Sequence, residues 1–189
     1  MRIAITGGIG SGKSYVCKEL ARRGFSVYDC DEAAKRLLRT SRHLQQELIR
    51  LVGADVYRDK VLQKGVLSKF LLASERNKQA VNDLIHPAVA RDFEQSGKDW
   101  LESAILFDSG FYLRIHFDLI VCISAPLDVR ITRIMARDGI SRSRALAWIN
   151  AQWPQEKMIE HSDFIIQNDG SSDLGAAIDR LINQLNIPK

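Results

Sequence analysis

The sequence predicts an α/β fold: a three-layer sandwich on a five-stranded parallel sheet. Three observations predict it. Short apolar runs alternate with longer stretches of helical spacing over most of the 189 residues, as strands joined by crossover helices do. The first run, Ile3-Ala4-Ile5, leads into Gly7-Gly8-Ile9-Gly10-Ser11-Gly12-Lys13-Ser14 and then a helical pattern at Val16, Cys17, Leu20 and Ala21. The clearest run, Leu119-Ile120-Val121-Cys122-Ile123, is apolar without alternation, the mark of a strand covered on both faces.

Taken in order, Arg2 to Thr6 form the first strand. The helix after the glycine-rich turn runs to about Arg23, with Gly24 where a C′ residue belongs. Phe25 to Tyr28 form a second strand ending in Asp29-Cys30-Asp31. Ligands of open parallel sheets bind beyond the carboxyl ends of the strands, so both acids are site candidates. From about residue 32 to 97 the spacing is helical, at Leu37 and Leu38, at Leu44, Leu48 and Leu51, at Val66, Leu67 and Phe70, and at Val81, Leu84 and Ile85 before His86-Pro87. A polar turn near Asp55–Lys60 is the one interruption, and the segment reads as a helical insertion. Trp100 to Phe107 return to strand and end at Asp108. Phe117 to Ser124 form the next strand. Pro126 opens an arginine-rich helix that Asp138-Gly139 breaks, and a further helix runs from about Ser141 to Gln152. Pro154 opens another. Phe164 to Ile166 form the last strand, ending at Asn168-Asp169-Gly170, and Leu174 to Leu185 a closing amphipathic helix. The chain thus divides into a core (1–31, 98–133 and 153–189), the insertion (about 32–97) and a lid (about 134–152).

The glycine-rich turn carries the chemistry. Amide N–H groups at the start of a helix lack intrahelical acceptors, and the helix dipole adds positive charge there. Glycines let such a backbone approach phosphate oxygens closely. In this strand–turn–helix setting Gly8, Gly10, Ser11 and Gly12 form a phosphate cradle, Lys13 reaches the β- and γ-phosphates, and Ser14 ligates Mg²⁺. The alternative is an ordinary strand–helix turn.

Composition narrows the class. A 46% hydrophobic and 26% charged chain is an ordinary globular protein. Three cysteines without a paired spacing suit a reducing compartment. Met1-Arg2 leads straight into a strand, leaving no room for a signal peptide, and no apolar run approaches a membrane span. A cytoplasmic enzyme with no membrane association is expected. The net charge of +4 suits nucleic acid or a small polyanion. The clustering of Arg130, Arg133, Arg137, Arg142 and Arg144 without a nucleic-acid motif favours the polyanion. No obligate protein partner is evident. A nucleotide-dependent switch is disfavoured: none of the 12 glycines follows an Asp three residues earlier, and Asn77-Lys78 lacks the Asp that reads guanine.

A small-molecule kinase remains, with ATP and Mg²⁺ implied. Within that class the chain resembles the dephospho-coenzyme A kinase family. The resemblance rests on Thr6 to Ser14, Val27-Tyr28-Asp29-Cys30-Asp31, His86-Pro87, Leu106-Phe107 before an acid, Arg133-x-x-x-Arg137-Asp138 before a helix ending Ala151-Gln152, and Asp163 to Gly170. It implies a P-loop kinase fold and ATP-dependent phosphorylation of the ribose 3′-hydroxyl of dephospho-coenzyme A. It also implies that Asp31 is the catalytic base at that hydroxyl and that Asp29, His86 and Asp108 line the acceptor side. On the nucleotide side it implies Lys13 and Arg137 in catalysis, with Ser14, Tyr15, Arg133 and Asn168 at ATP. The chain departs from the family pattern at Tyr15 (usually Thr), Ala104 (usually Pro), Asp108 (usually Glu) and Trp148 (usually basic or amide).

Each role has a plainer counterpart. Asp29 and Asp31 suit a helix N-cap, and His86 before Pro87 suits packing. Asp108 starts a turn as readily as it binds metal through water, and Arg137 has Asp138 beside it. The tryptophans and Cys30 read as packing residues. A kinase for another small acceptor, such as a nucleoside monophosphate, is the alternative activity.

Overall fold

The computed structural model describes residues 1–185. Its main sheet has five strands: β1 (Ile3–Thr6), β2 (Val27–Asp29), β5 (Trp100–Glu102), β6 (Leu119–Ser124) and β7 (Phe164–Gln167). They lie in the order β2-β5-β1-β6-β7. β1 pairs in parallel with β5 (Ile3 opposite Trp100) and with β6 (Ile3 opposite Leu119), and β6 pairs in parallel with β7 (Val121 opposite Phe164). The five-stranded parallel sheet expected from the sequence is therefore present.

Side-chain alternation divides the core. Ile3 and Ile5 of β1, Val121 and Ile123 of β6 and Ile166 of β7 cluster with Val16 and Leu20 of α1 (Lys13–Arg22). Ile178, Leu181 and Ile182 of α9 (Leu174–Gln184) complete that cluster. The residues between them on β1 and β6, Ala4 and Cys122, are also fully buried. On β6 packs α8 (Gln155–Glu160), with Met158 buried. Burial pushes the Cys122 thiol up to about 11, so it is neutral and inert at physiological pH. After α1 the chain turns as the spacing foretold. The Gly24 N–H bonds the Ala21 carbonyl and the Phe25 N–H bonds the Leu20 carbonyl, each at 3.0 Å, a Schellman C-cap.

The arginine-rich helix is α6 (Leu127–Asp138), and α7 (Arg142–Asn150) follows it. They form a hairpin with its own core of Ile131, Ile134, Ala145 and Ile149, against which Ile9 of the glycine-rich turn also packs.

Contacts divide the chain into two compact units, one of residues 1–28 with those from 98 onward, the other Asp29–Gly97. The second unit contains α2 (Cys30–Thr40), α3 (Arg42–Val52), α4 (Lys64–Ala73) and α5 (Glu75–Gln95). Leu38, Leu44, Leu48, Val56, Leu67 and Val81 form its core. Where the sequence suggested only a polar turn there is a short antiparallel hairpin, β3 (Tyr57–Arg58) with β4 (Val61–Leu62). Asp59 and Lys60 both take positive φ at its tip. α5 continues through Pro87, which lacks the N–H of a helical bond; burial of Val89, Ala90 and Phe93 beyond it accompanies the continuation.

One strand is shorter than expected. β5 ends at Glu102 rather than Phe107. The chain then coils into successive turns, in which the Ser109 N–H bonds the Ile105 carbonyl at 2.9 Å and the Gly110 N–H bonds the Phe107 carbonyl at 3.0 Å. Leu106 and Phe107 are buried within these turns. A short apolar run does not by itself distinguish a strand from a buried turn.

The hairpin core makes a stability prediction. Ile134 is fully buried, so Ile134→Ala should cost about 3 kcal/mol in urea unfolding. A loss below about 1 kcal/mol would mean that this core is not part of the cooperative unit.

Candidate active site

The glycine-rich turn joins β1 to α1. The Ser11 N–H bonds the Gly8 carbonyl at 3.1 Å, closing a turn with Ile9 and Gly10 at its centre. Gly10 has φ 80°, which suits the third position of a type II turn. α1 then opens on Gly12 without a side-chain cap. Its first-turn hydroxyl, Ser14, is exposed, and Tyr15 is half exposed.

Alternate carbonyls of the loop are held by side-chain donors. Lys13 Nζ donates to the Gly7 carbonyl at 2.8 Å. Arg130 Nε of α6 donates to the Ile9 carbonyl at 2.9 Å. Asn168 Nδ2, just after β7, donates to the Ser11 carbonyl at 2.8 Å. A trans peptide is planar, so its N–H points opposite to its C=O. The N–H groups of Gly8, Gly10 and Gly12 therefore each point away from a clamped carbonyl. That is the arrangement of an anion-binding backbone concavity.

Further groups brace this loop. Arg133 NH2 donates to Asn168 Oδ1 at 3.0 Å, and its NH1 lies 3.4 Å from the Gly10 and Ser11 carbonyls. The Ile9 N–H donates to Gln152 Oε1 at 2.7 Å, and Gln152 Nε2 reaches the Ala104 carbonyl at 3.4 Å. Glu102 Oε1 lies 3.9 Å from Lys13 Nζ, both side chains being largely buried. The buried hydroxyl of Ser11 has no hydrogen-bond partner among the described residues.

The structure thus brings Gly8, Gly10, Ser11, Gly12, Lys13, Arg133 and Asn168 together. Asp108 Oδ1 accepts at 2.7 Å from the N–H of Trp153, one residue along the chain from Gln152. Trp153 stacks on Phe107 with centroids 5.5 Å apart, and Lys157 Nζ stands 3.7 Å over its ring. Arg137, exposed at the end of α6, closes its fork on Asp138, with NH2 2.7 Å from Oδ2. Trp148 joins the hairpin core, with Arg144 over its ring at 5.8 Å.

In the second unit Asp29 caps α2, its Oδ1 accepting from the Glu32 N–H at 2.9 Å. Asp31 is exposed in the first turn of that helix, and His86 is buried in α5. Sequence reasoning missed Arg130, Gln152 and Glu102. Glu102 was hidden by the overlong strand. Gln152 was visible only as a landmark, and nothing local marks Arg130 among five nearby arginines.

The Asn168 amide can be tested by itself. Asn168→Ala leaves the Ser11 carbonyl with only the longer 3.4 Å contact from Arg133 and should weaken binding of an ATP analogue about 10-fold, with a stability cost of about 1–3 kcal/mol. Asn168→Asp sets an oxygen against that carbonyl and should be worse in both readouts. Equal effects of Ala and Asp would contradict the hydrogen-bonding role.

Known proteins match this chain over most of its length. A family model described as dephospho-CoA kinase matches residues 1–173. A Bacteroides fragilis protein named dephospho-CoA kinase is 40% identical over 189 residues, covering 96% of this chain and 91% of its own length. A crystal structure of a protein from Thermus thermophilus superposes with a TM-score of 0.84 at 29% identity, covering 100% of this chain and 98% of that one. A Campylobacter jejuni dephospho-CoA kinase shares the fold, with a TM-score of 0.69 at 22% identity, over 97% of this chain and 96% of that one. With its sequence matched almost end to end and its glycine loop braced as described, the chain belongs to the dephospho-CoA kinase family.

Proposed function

We infer that the protein transfers the γ-phosphoryl group of ATP to the ribose 3′-hydroxyl of dephospho-coenzyme A, giving coenzyme A and ADP. The observation that carries this reading is the clamped glycine loop of a chain matched to the family over residues 1–173. In the reaction the 3′-oxygen bonds to the γ-phosphorus, the bond from that phosphorus to the β–γ bridging oxygen breaks, and ADP leaves. Such transfers ask mainly for in-line positioning and charge neutralisation.

The site residues take roles accordingly. The amides of Gly8, Gly10 and Gly12 bind phosphate oxygens, and Lys13 moves from the Gly7 carbonyl to the β- and γ-phosphates. Arg133 and Asn168 support the loop beside the nucleotide, and Tyr15 lies on the helix that begins there. Arg137 exchanges Asp138 for the transferring phosphoryl group, a task that suits its planar, permanently charged fork. Ser14 and Glu102 are hard oxygen donors of the kind Mg²⁺ takes with phosphate and water, and they fit such an ion. Mg²⁺ at that place would neutralise phosphate charge. Asp31 orients the acceptor hydroxyl and takes its proton, Asp29 fixes the start of the helix that carries Asp31, and His86 belongs to the acceptor side. Asp108 supports the segment at Trp153 from the same side.

No helix among the described residues is long and apolar enough to cross a membrane. The three cysteines are free thiols. A cytoplasmic enzyme that needs no partner protein is part of this reading.

Coupled ADP release measured with dephospho-coenzyme A, AMP, CMP and shikimate tests the activity. Rapid turnover is expected with dephospho-coenzyme A alone; comparable rates with AMP or CMP would point to a nucleoside monophosphate kinase. Asp31→Asn keeps the size of the side chain but removes the proton acceptor, and should lower turnover about 10²-fold or more at an unchanged melting temperature. A variant of near-normal rate that melts early would reduce Asp31 to a helix-start residue.

A further inference from the structure

Gly8 poses a question that backbone conformation does not answer. Gly7, Gly10 and Gly12 have positive φ, but Gly8 is not among the positive-φ residues. Its constraint is spatial. A Cβ at position 8 would stand 2.7 Å from Arg130 Cζ and would also clash with the NH2 group of that side chain. The guanidinium therefore lies where a side chain at position 8 would be.

Arg130 is an unusual arginine. It is 4% exposed, and burial pulls its pKa down from the ordinary value, though an arginine stays charged. Burying such a group is costly unless it does something that repays the desolvation. Its Nε is committed to the Ile9 carbonyl at 2.9 Å. At Gly10 the backbone of α6 itself comes close, with the Arg130 carbonyl 2.7 Å from where a Cβ would stand. The Ile9 side chain packs into the α6–α7 core and its N–H is held by Gln152. The carbonyl, side chain and N–H of Ile9 are thereby fixed by α6, by the α6–α7 core and by Gln152 just beyond α7.

We propose that Arg130 is a positioning residue of the phosphate loop. It locks the Ile9–Gly10 peptide in one of its two flipped orientations, so that the Gly10 N–H is presented to a phosphate oxygen. The opposite flip would turn the Ile9 carbonyl, a partial negative charge, toward the anion. Gly8 is glycine because the guanidinium needs its space. The proposal rests on the nucleotide-binding part of the function given above. It adds a specific interlock, Gly8–Arg130–Ile9, through which the arginine-rich helix governs the loop.

The test is a double-mutant cycle read by titration with a fluorescent ATP analogue and by turnover with dephospho-coenzyme A. Arg130→Leu should weaken analogue binding about 10-fold and lower turnover by about 10–100-fold, less than the about 10²–10³-fold seen when a preorganised donor is itself removed, because Arg130 acts through the peptide it holds. The KM for dephospho-coenzyme A should stay within about threefold. Arg130→Gln retains an N–H donor and should recover a substantial part of both losses. Gly8→Ala alone should mimic Arg130→Leu, because the new methyl displaces the guanidinium. Added to Arg130→Leu it should cost little more, since the obstacle is gone.

Normal binding and turnover in Arg130→Leu would overturn the proposal. So would a Gly8→Ala loss that multiplies in full with that of Arg130→Leu. A Gln variant as impaired as Leu would also overturn it, and would place the charge of Arg130 directly on the nucleotide. The analogue titration needs no acceptor. A wild-type protein that binds the analogue but ignores dephospho-coenzyme A would sink the acceptor assignment, while the binding arms would still decide the role of Arg130.

Discussion

Everything at this site depends on which way the peptides of one short loop face. A backbone that receives a polyphosphate must turn its N–H groups inward and its carbonyls outward. Left alone, a glycine-rich turn has no strong preference between the two. Here the carbonyls of Gly7, Ile9 and Ser11 are each held by a side chain from a different place: Lys13 at the start of α1, Arg130 on α6 and Asn168 after β7. The loop is thereby preorganised before any ligand arrives, which lowers the cost of ordering it on binding.

The parallel sheet makes those donors available. β1 sits in the middle of the order with β5 and β6 on either side, so the segments after neighbouring strands gather around the loop that leaves β1. Glu102 at the end of β5 lies 3.9 Å from Lys13. Asn168 follows β7, its own N–H tied to the Ser124 carbonyl at the end of β6 at 2.7 Å. The helix after β6 contributes Arg130 and Arg133. The loop also shares apolar packing with the α6–α7 hairpin through Ile9. A displacement of that hairpin must therefore either drag the loop or break the contacts of Ile9. This links any motion of the arginine-bearing segment to the state of the phosphate site.

Much of this was legible in the sequence, for local reasons. The glycine spacing, the uninterrupted apolar strands, Pro126 at a helix start and Gly24 at a helix end are signals within a few residues, and the sheet and the loop followed from them. What was not legible depended on distance along the chain. Arg130 meets Ile9 across 121 positions, and nothing about Arg130 itself separates it from Arg133 or Arg137. Asn168 was read through family resemblance as a residue at ATP, and that its amide spans Ser11 and Arg133 could not be read from the sequence. The acid at the end of β5 was misplaced because Ile105-Leu106-Phe107 look like strand but lie in turns that bury only Leu106 and Phe107. For Arg137 the plainer alternative is visible in this structure as its pairing with Asp138; its part in phosphoryl transfer belongs to the proposed function.

The orientation of the loop peptides is a property of individual amide hydrogens, and amide-resolved NMR of the loop with and without ADP reads it. The Gly8, Gly10 and Gly12 amides should shift downfield and become protected from exchange when ADP binds. The Ile9 amide, already bonded to Gln152, should be protected beforehand and change little. An Ile9 amide that responds as strongly as Gly10, or a Gly10 amide that does not respond, would mean that the loop peptides are not held in these orientations.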